Sequence, residues 1–148
     1  MATKQAPPDA KPLKIKQGEV RILPAGRYVI DQLTLTSKTR LICDGEVEIY
    51  TRGASIASQG LTTLEEDPLA LKLIVSGSAV DVVAPFTGVI DAPAARMNLI
   101  GPGDFYGAIL GAWVATTPGV ALHFDRSLPF RTRGPLLRWQ ADGWEAKP

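Results

Sequence analysis

The sequence predicts an all-β chain that folds as a single-domain parallel β-helix (β-solenoid) with coils of about 19 residues. Three observations predict this class. Short apolar runs bounded by Gly, Pro, Asp and Ser recur along the chain, they are too short and too frequent for βαβ units, and similar residues return at a fixed interval. A length of 148 residues with 45% hydrophobic content suits one domain with a buried core.

Twelve short runs have the composition of β-strands, and alternation such as Val47/Ile49 directs apolar side chains to one face. In chain order they are Glu19–Leu23, Arg27–Ile30, Gln32–Leu35, Arg40–Cys43, Glu46–Tyr50, Leu71–Val75, Val80–Val83, Gly88–Ile90, Arg96–Ile100, Phe105–Leu110, Trp113–Ala115 and Val120–Phe124. Only Thr62–Asp67 indicates helix, because Thr62 and Glu65 have capping-box spacing, and Pro68 would end it after one turn.

The repeat is clearest in three phenylalanines, Phe86, Phe105 and Phe124, which recur at a constant spacing of about 19 residues. The same interval relates Ile90, Ile109 and Leu128, and it pairs Ile22 with Leu41, Tyr28 with Val47, and Ile30 with Ile49. A period of about 20 residues built from short strands is typical of a parallel β-helix, in which equal positions of successive coils stack inside. A β-sandwich is the alternative, but its strands have no reason to repeat at a fixed period. Gly88 and Gly107 are expected at corners that require positive φ.

The chain divides into three predicted parts: a flexible basic tail over 1–18, the β-solenoid over 19–128, and a C-terminal return or capping segment over 129–148. The proline-rich start has few apolar residues. The interruption between Ile56 and Leu69 is interpreted as an insertion that loops out of one coil.

Charge is concentrated at the two ends. Residues 1–16 carry four lysines against Asp9, residues 17–125 have a net charge of −5, and residues 126–148 carry five basic against two acidic groups. An acidic body repels phosphate, so DNA could bind only through the basic ends. The expected contacts there are Arg126, Arg131, Arg133 and Arg138, together with the lysine tail.

No catalytic, cofactor or metal site is predicted, and we therefore expect a protein that is not an enzyme. His123, the only histidine, alternates on a strand with Asp125, but no serine or second histidine completes a catalytic set, so a hydrogen-bonded structural role is expected. The aspartates Asp31, Asp44, Asp81, Asp91, Asp104 and Asp125 are interpreted as strand-end or turn residues. Asp104 and Asp125 could still occupy neighbouring coils. The acidic run 65–67 lacks the spaced ligands of a calcium loop.

Several other side chains have a predicted place. Cys43, the only cysteine, is expected to be a buried small hydrophobe, and Trp113 is expected to pack. Trp139 and Trp144 could stack on a ligand beside the arginines, or their segment Leu136–Trp144 could cap the open end of the solenoid.

The beginning of the sequence has no signal peptide, and no stretch approaches the roughly 20 apolar residues of a membrane span. We therefore expect either a cytoplasmic protein or a piece of a larger exported one, with no membrane insertion by this chain.

Four segments carry a resemblance to a known family: Ile90-Asp91-Ala92-Pro93, Gly103-Asp104-Phe105-Tyr106-Gly107-Ala108-Ile109, His123-Phe124-Asp125-Arg126-Ser127-Leu128, and the closing Arg138-Trp139…Trp144-Glu145. In these the chain resembles the accessory β-solenoid domain at the C-terminus of PilX-like minor type IV pilins. The likeness runs from Ile22 to Glu145. The family usually has an acidic residue in place of Arg126 and tyrosine in place of Phe124, and its N-terminal hydrophobic helix is missing here.

The resemblance implies a non-enzymatic domain displayed on a type IV pilus or cell surface, with pilus or surface subunits as partners, for adhesion or for capture of ligands such as DNA. Two alternatives remain open. One is a self-assembling bactofilin-like scaffold, favoured by the size and the polar tails. The other is a polysaccharide-binding or polysaccharide-cleaving β-helix, which for cleavage would need a carboxylate or arginine cluster.

Overall fold

The computed structural model describes residues 6–64, 67, 70–124, 136–140 and 143–147, with side chains described as far as His123. The described part is an all-β parallel β-solenoid of about six turns, with coils of about 20 residues and no α-helix, which confirms the predicted fold class. It contains no helix long and apolar enough to span a bilayer.

The strands are long because they continue around the corners of the solenoid, so several predicted runs merge into one. They are β1 (Lys11–Pro12), β2 (Val20–Leu35), β3 (Arg40–Ile56), β4 (Leu61–Thr63), β5 (Leu71–Val75), β6 (Ala79–Val83), β7 (Phe86–Ile100), β8 (Gly103–Thr116), β9 (Val120–Phe124), β10 (Leu136–Gln140) and β11 (Gly143–Lys147). The first coil contains β2, the second β3, the third β4 to β6, the fourth β7, the fifth β8 and the sixth β9. Every pairing between successive coils is parallel.

The core is a set of side-chain ladders that run along the axis of the solenoid. One ladder stacks Leu33, Ala54, Val80 and Met97 from successive coils, each at most 3% exposed. Another stacks Ile49, Leu73, Ile90 and Ile109, at most 5% exposed. Each coil thus covers the apolar face of the next, and burial of these side chains supplies the main free energy of folding.

The predicted repeat interval holds between the fourth and fifth coils, where Phe86 pairs with Phe105 and Ile90 with Ile109. It fails after Phe105, which pairs with Leu122, and Phe124 lies opposite Gly107. The expected stack of three phenylalanines is therefore wrong in its third member, and Leu128 lies outside the described residues.

The interval also fails in the first coils, where Ile22 pairs with Ile42, Tyr28 with Ile49, and Ile30 with Thr51. The three upstream pairs expected from the constant interval are therefore wrong. At Ile22 the pairing offset already exceeds the predicted interval by one residue, and a register shift between Pro24 and Gly26 adds a further residue for Tyr28 and Ile30 without breaking the ladder on either side.

The interruption of the repeat lies in the third coil. Cys43 pairs with Thr63 but Val47 pairs with Leu71, so the third coil has four more residues at this corner than the second. This agrees with the predicted insertion. The predicted helical turn at Thr62–Asp67 is wrong, because Thr62 and Thr63 belong to β4. Pairing with β3 and full burial of Leu61 outweigh a local capping signal.

The N-terminal segment is partly attached to the solenoid. Lys11 and Pro12 pair with Tyr28 and Val29, the Leu13 amide donates to the Val29 carbonyl at 2.8 Å, and the Leu13 side chain is buried. This corrects the expectation of a free tail over 1–18: Lys11 to Leu13 cover the first coil. Residues 1–5 lie outside the described part.

The C-terminal strands β10 and β11 form a separate antiparallel hairpin, with Trp139 opposite Trp144. Neither strand pairs with the solenoid sheet in the described residues. The described strands of this segment therefore do not extend the solenoid sheet. Whether 129–148 caps the final coil stays a prediction, since 125–135 lie outside the described residues.

Candidate functional site

One face of the solenoid carries the residues of most interest. It is built by the first strand of each coil, and we call it the first face: Val20–Leu23, Arg40–Cys43, Leu61–Thr63, 85–87, 103–106 and 120–123. Its outward side chains include exposed apolar groups near one end and polar and aromatic groups near the other.

His123 is hydrogen-bonded, as predicted, but its described partner is Asp104 of the preceding coil. The His123 Nε2 lies 3.0 Å from the Asp104 Oδ1, and both side chains are about half exposed. The expected neighbour, Asp125, lies outside the described residues, as does the possible pairing of Asp104 with Asp125. The residue offset between Asp104 and His123 equals the predicted interval, but the ladder here pairs Tyr106 with His123, so Asp104 contacts His123 diagonally and the constant interval does not identify the pair.

Tyr106 was not singled out from the sequence, yet it stacks on His123. The ring centroids are 4.4 Å apart and the ring planes differ by 13°. The two residues are ladder partners between β8 and β9, which places both side chains on the outward side. On the other side of Tyr106 the ladder partner is Thr87, whose short side chain leaves that ring face without an aromatic neighbour in the described residues. Tyr106 is 46% exposed.

Trp113 is 60% exposed, so the expectation that it packs in the core is wrong. It occupies an outward position of β8, where its ladder partner is Arg96. The Arg96 Cζ lies 6.0 Å from the ring centroid, at the outer limit of a cation–π contact. This pair lies on a different face from Tyr106, since Arg96 and Trp113 continue the ladder of β6, two corners further along their coils.

The residues predicted for nucleic-acid or stacking contacts are not tested. Arg126, Arg131 and Arg133 lie outside the described residues. Arg138, Trp139 and Trp144 lie in the hairpin, of which only the backbone is described.

Cys43 is buried, as predicted, and burial raises the pKa of its thiol to about 12. Such a thiol stays protonated at neutral pH, which disfavours a role as a thiolate nucleophile.

Three of the aspartates lie within strands, where they are paired or buried. Asp31 forms an ion pair with Arg52 at 3.3 Å, Asp81 accepts a hydrogen bond from the Asn98 Nδ2 at 2.7 Å, and Asp91 is completely buried. All three lie within strands, which corrects the turn interpretation for them. Among the described residues no three His, Cys, Asp or Glu side chains lie close enough to hold a metal ion; Glu65 and Glu66 are outside this set.

The fold and this face define a parallel β-solenoid protein with an exposed aromatic and polar surface. No family model, curated protein or solved structure matches the chain. The β-solenoid part of the resemblance seen in the sequence is confirmed by the fold.

Proposed function

We propose that the chain is a non-enzymatic binding module, a β-solenoid domain displayed on a type IV pilus or cell surface that captures carbohydrate for adhesion. The observation that carries the proposal is the Tyr106 ring, which is half exposed, stacks on His123 and has the short side chain of Thr87 as its other ladder partner, with the Asp104 carboxylate bonded to His123.

This arrangement suits a sugar because sugars are amphipathic. Their C–H faces pack against aromatic rings, and their hydroxyl groups both donate and accept hydrogen bonds. Tyr106 supplies the ring, while Asp104 and His123 supply an acceptor and a group that can donate or accept. All three lie on rigid neighbouring strands, so little conformational entropy is lost on binding.

Binding is favoured over cleavage by the number of acidic groups. Hydrolysis of a glycosidic bond ordinarily needs two carboxyl groups about 5 to 10 Å apart, one of them protonated. In the described part of this site there is one carboxylate, Asp104, which is paired with an imidazole, and both are half exposed.

Carbohydrate is also favoured over DNA on this face, because Asp104 would repel phosphate. DNA contact, if it occurs, belongs to the basic ends of the chain, where Arg126, Arg131, Arg133 and Arg138 are located in the sequence.

Affinity electrophoresis in gels containing dextran, chitosan, alginate or bacterial capsular polysaccharide tests the proposal. At least one polysaccharide should retard the native chain, and Tyr106→Ala should weaken that retardation by at least about fivefold, the lower end for loss of an aromatic stacking partner. Trp113→Ala is the matched control, because it removes an exposed aromatic from another face.

Equal weakening by both substitutions, or no retardation by any polysaccharide, would contradict the proposal. Display is tested separately, by labelling intact cells with an antibody against the purified chain. Labelling only after permeabilisation would argue against surface exposure and in favour of a cytoplasmic scaffold.

A further inference from the structure

A groove of about 250 Å³ opens on the first face between the third and fourth coils. The groove exists because the third and fourth coils pair on only two of their three faces. β7 pairs with β5 and with β6, whereas β4 pairs only with β3. Pro85, Phe86 and Thr87 form the opposite wall.

The groove presents backbone hydrogen-bonding groups as well as side chains. The Leu41 amide donates to the Gly60 carbonyl and the Leu64 amide donates to the Cys43 carbonyl, so Gly60 and Leu64 direct these groups to the second coil. Backbone groups alternate in direction along a parallel strand, so those of Leu61 and Thr63 point the other way, toward the fourth coil, where β4 has no ladder partner. An unpaired strand edge readily binds a ligand with hydroxyl or amide groups.

The floor of the groove holds an unsatisfied hydroxyl. Thr63 is 9% exposed, and its Oγ1 is buried without a hydrogen-bond partner in the described residues. A buried hydroxyl without a partner costs about 1–3 kcal/mol, and native proteins seldom retain one without a reason. The two other buried threonines have described bonds: Thr39 accepts from the Gly18 amide at 2.9 Å, and Thr51 donates to the Gly53 carbonyl at 2.9 Å.

We propose that this groove binds one neutral pyranose ring of a polysaccharide, with the open edge of β4 and the Thr63 hydroxyl, brought to the groove by rotation of its buried side chain, as its hydrogen-bonding partners. The proposal rests on the proposed function and names the subsite within it. The lining alternates apolar groups such as Leu61 and Phe86 with the polar groups Gln59 and Thr62, which matches the two kinds of surface of a sugar ring.

The position of the groove connects it with Tyr106. Thr87 lines the groove and is also the ladder partner of Tyr106. A chain of sugars that places one unit in the groove therefore extends along the first face over Thr87, where the next unit meets the open face of the Tyr106 ring.

The size of the groove selects a single ring. At about 30 Å³ for each water molecule, the volume corresponds to about eight waters, below the roughly 300–1,000 Å³ of sites that enclose drug-sized ligands. A β-strand of several residues would not fit without separation of the third and fourth coils, which are hydrogen-bonded on their other two faces.

Titration of the ¹⁵N-labelled full chain with methyl glycosides of glucose, galactose and N-acetylglucosamine, and with glucuronate, tests the subsite. A neutral glycoside should shift the amide signals of Leu61, Thr63 and Phe86. Thr63→Val keeps the shape and removes the hydroxyl, so it should raise the Kd about 3- to 10-fold, as expected for one lost hydrogen bond. Without ligand it should melt at the same temperature as the native chain or higher.

Thr51→Val is the matched control, because it removes a buried hydroxyl that is already satisfied. It should lower the melting temperature and leave the Kd unchanged. Thr62→Trp is a second variant, which fills the mouth of the groove from a half-buried position and should abolish the shifts.

The outcomes separate this proposal from the previous one. Shifts at Tyr106 and His123 with none at Leu61 and Thr63 would overturn the subsite and leave carbohydrate capture intact. If the groove amides shift but no polysaccharide retards the chain, the subsite is supported and the proposed function is contradicted. Binding of glucuronate alone, or of no sugar, would overturn the assignment of a neutral ring.

Discussion

Phe86 and Phe105 occupy the same position in successive coils, with their Cα atoms paired in the ladder and their ring centroids 6.5 Å apart. Both rings are buried, and their planes differ by 39°. This tilted contact lies between the fourth and fifth coils and joins the internal ladder of the solenoid to its last described turns. Loss of either ring would leave a cavity that the neighbouring coils cannot close without breaking their hydrogen bonds.

Phe105→Ala should therefore destabilise the protein by about 3–5 kcal/mol, the range for truncation of a buried aromatic. Urea denaturation followed by circular dichroism measures the free energy of unfolding. Tyr106→Ala, one residue along but directed outward, should cost far less. Near-native stability of the Phe105 variant would contradict the internal stack.

The backbone at Gly107 leaves no room for a side chain. Its φ is +131°, and a Cβ there would collide with the Gly88 carbonyl of the coil below, which agrees with the positive φ expected from the sequence. Gly107→Ala should thus lower the melting temperature markedly. Gly111→Ala is the control, because a Cβ at that position meets the Met97 methyl at an ordinary 3.4 Å. Equal melting temperatures for the two variants would mean that the coils adjust more easily than the close contact indicates.

Cys43 should make stability decline at alkaline pH. Burial raises the pKa of its thiol to about 12, whereas a cysteine in the unfolded chain has a pKa of about 8.5. Between these values the unfolded chain binds fewer protons than the native one, so the free energy of unfolding falls as pH rises. Burial also raises the pKa of Tyr50 to about 12, with a hydrogen bond to Glu48 as a smaller cause, so Tyr50 adds to the decline.

Melting temperatures measured from neutral to alkaline pH in the native chain, Cys43→Ala and Tyr50→Phe separate the two contributions. Cys43→Ala should melt lower at neutral pH, because it leaves a small cavity, but should lose less stability as pH rises. An unchanged slope in that variant would refute the burial argument.

Binding to DNA, where it occurs, should be weak and carried by Arg126, Arg131, Arg133 and Arg138. Each phosphate contact contributes about −0.9 to the slope of log affinity against log salt, and four arginines that do not all reach one duplex should give a slope of about −2 to −4. Fluorescence anisotropy with labelled duplex DNA measures this slope. Replacement of the four arginines by glutamine should abolish binding, and His123→Gln is the control. Tight binding at high salt would indicate a recognition surface on the coils instead.

The residues that determine the fold class are visible in the sequence. Short β-type runs that recur at a nearly constant interval predict stacked coils, because each coil must bury the same kind of side chain at the same place. The Phe86–Phe105 and Ile90–Ile109 pairs were predicted from this recurrence and are confirmed. Burial of Cys43 within an apolar run was equally predictable.

The tertiary structure determined which residues pair between coils and which side chains reach the surface. A corner of the solenoid accepts or loses residues while the ladders on both sides continue, so counting along the chain cannot establish that Phe124 faces Gly107 or that Lys11 to Leu13 join the first coil. The direction of a side chain at a corner likewise depends on the turn, which is why Trp113 is exposed and why Asp104 meets His123. The groove between the third and fourth coils depends on a ladder that is absent from one face only, and such an absence arises from the packing of whole coils rather than from any local run of residues.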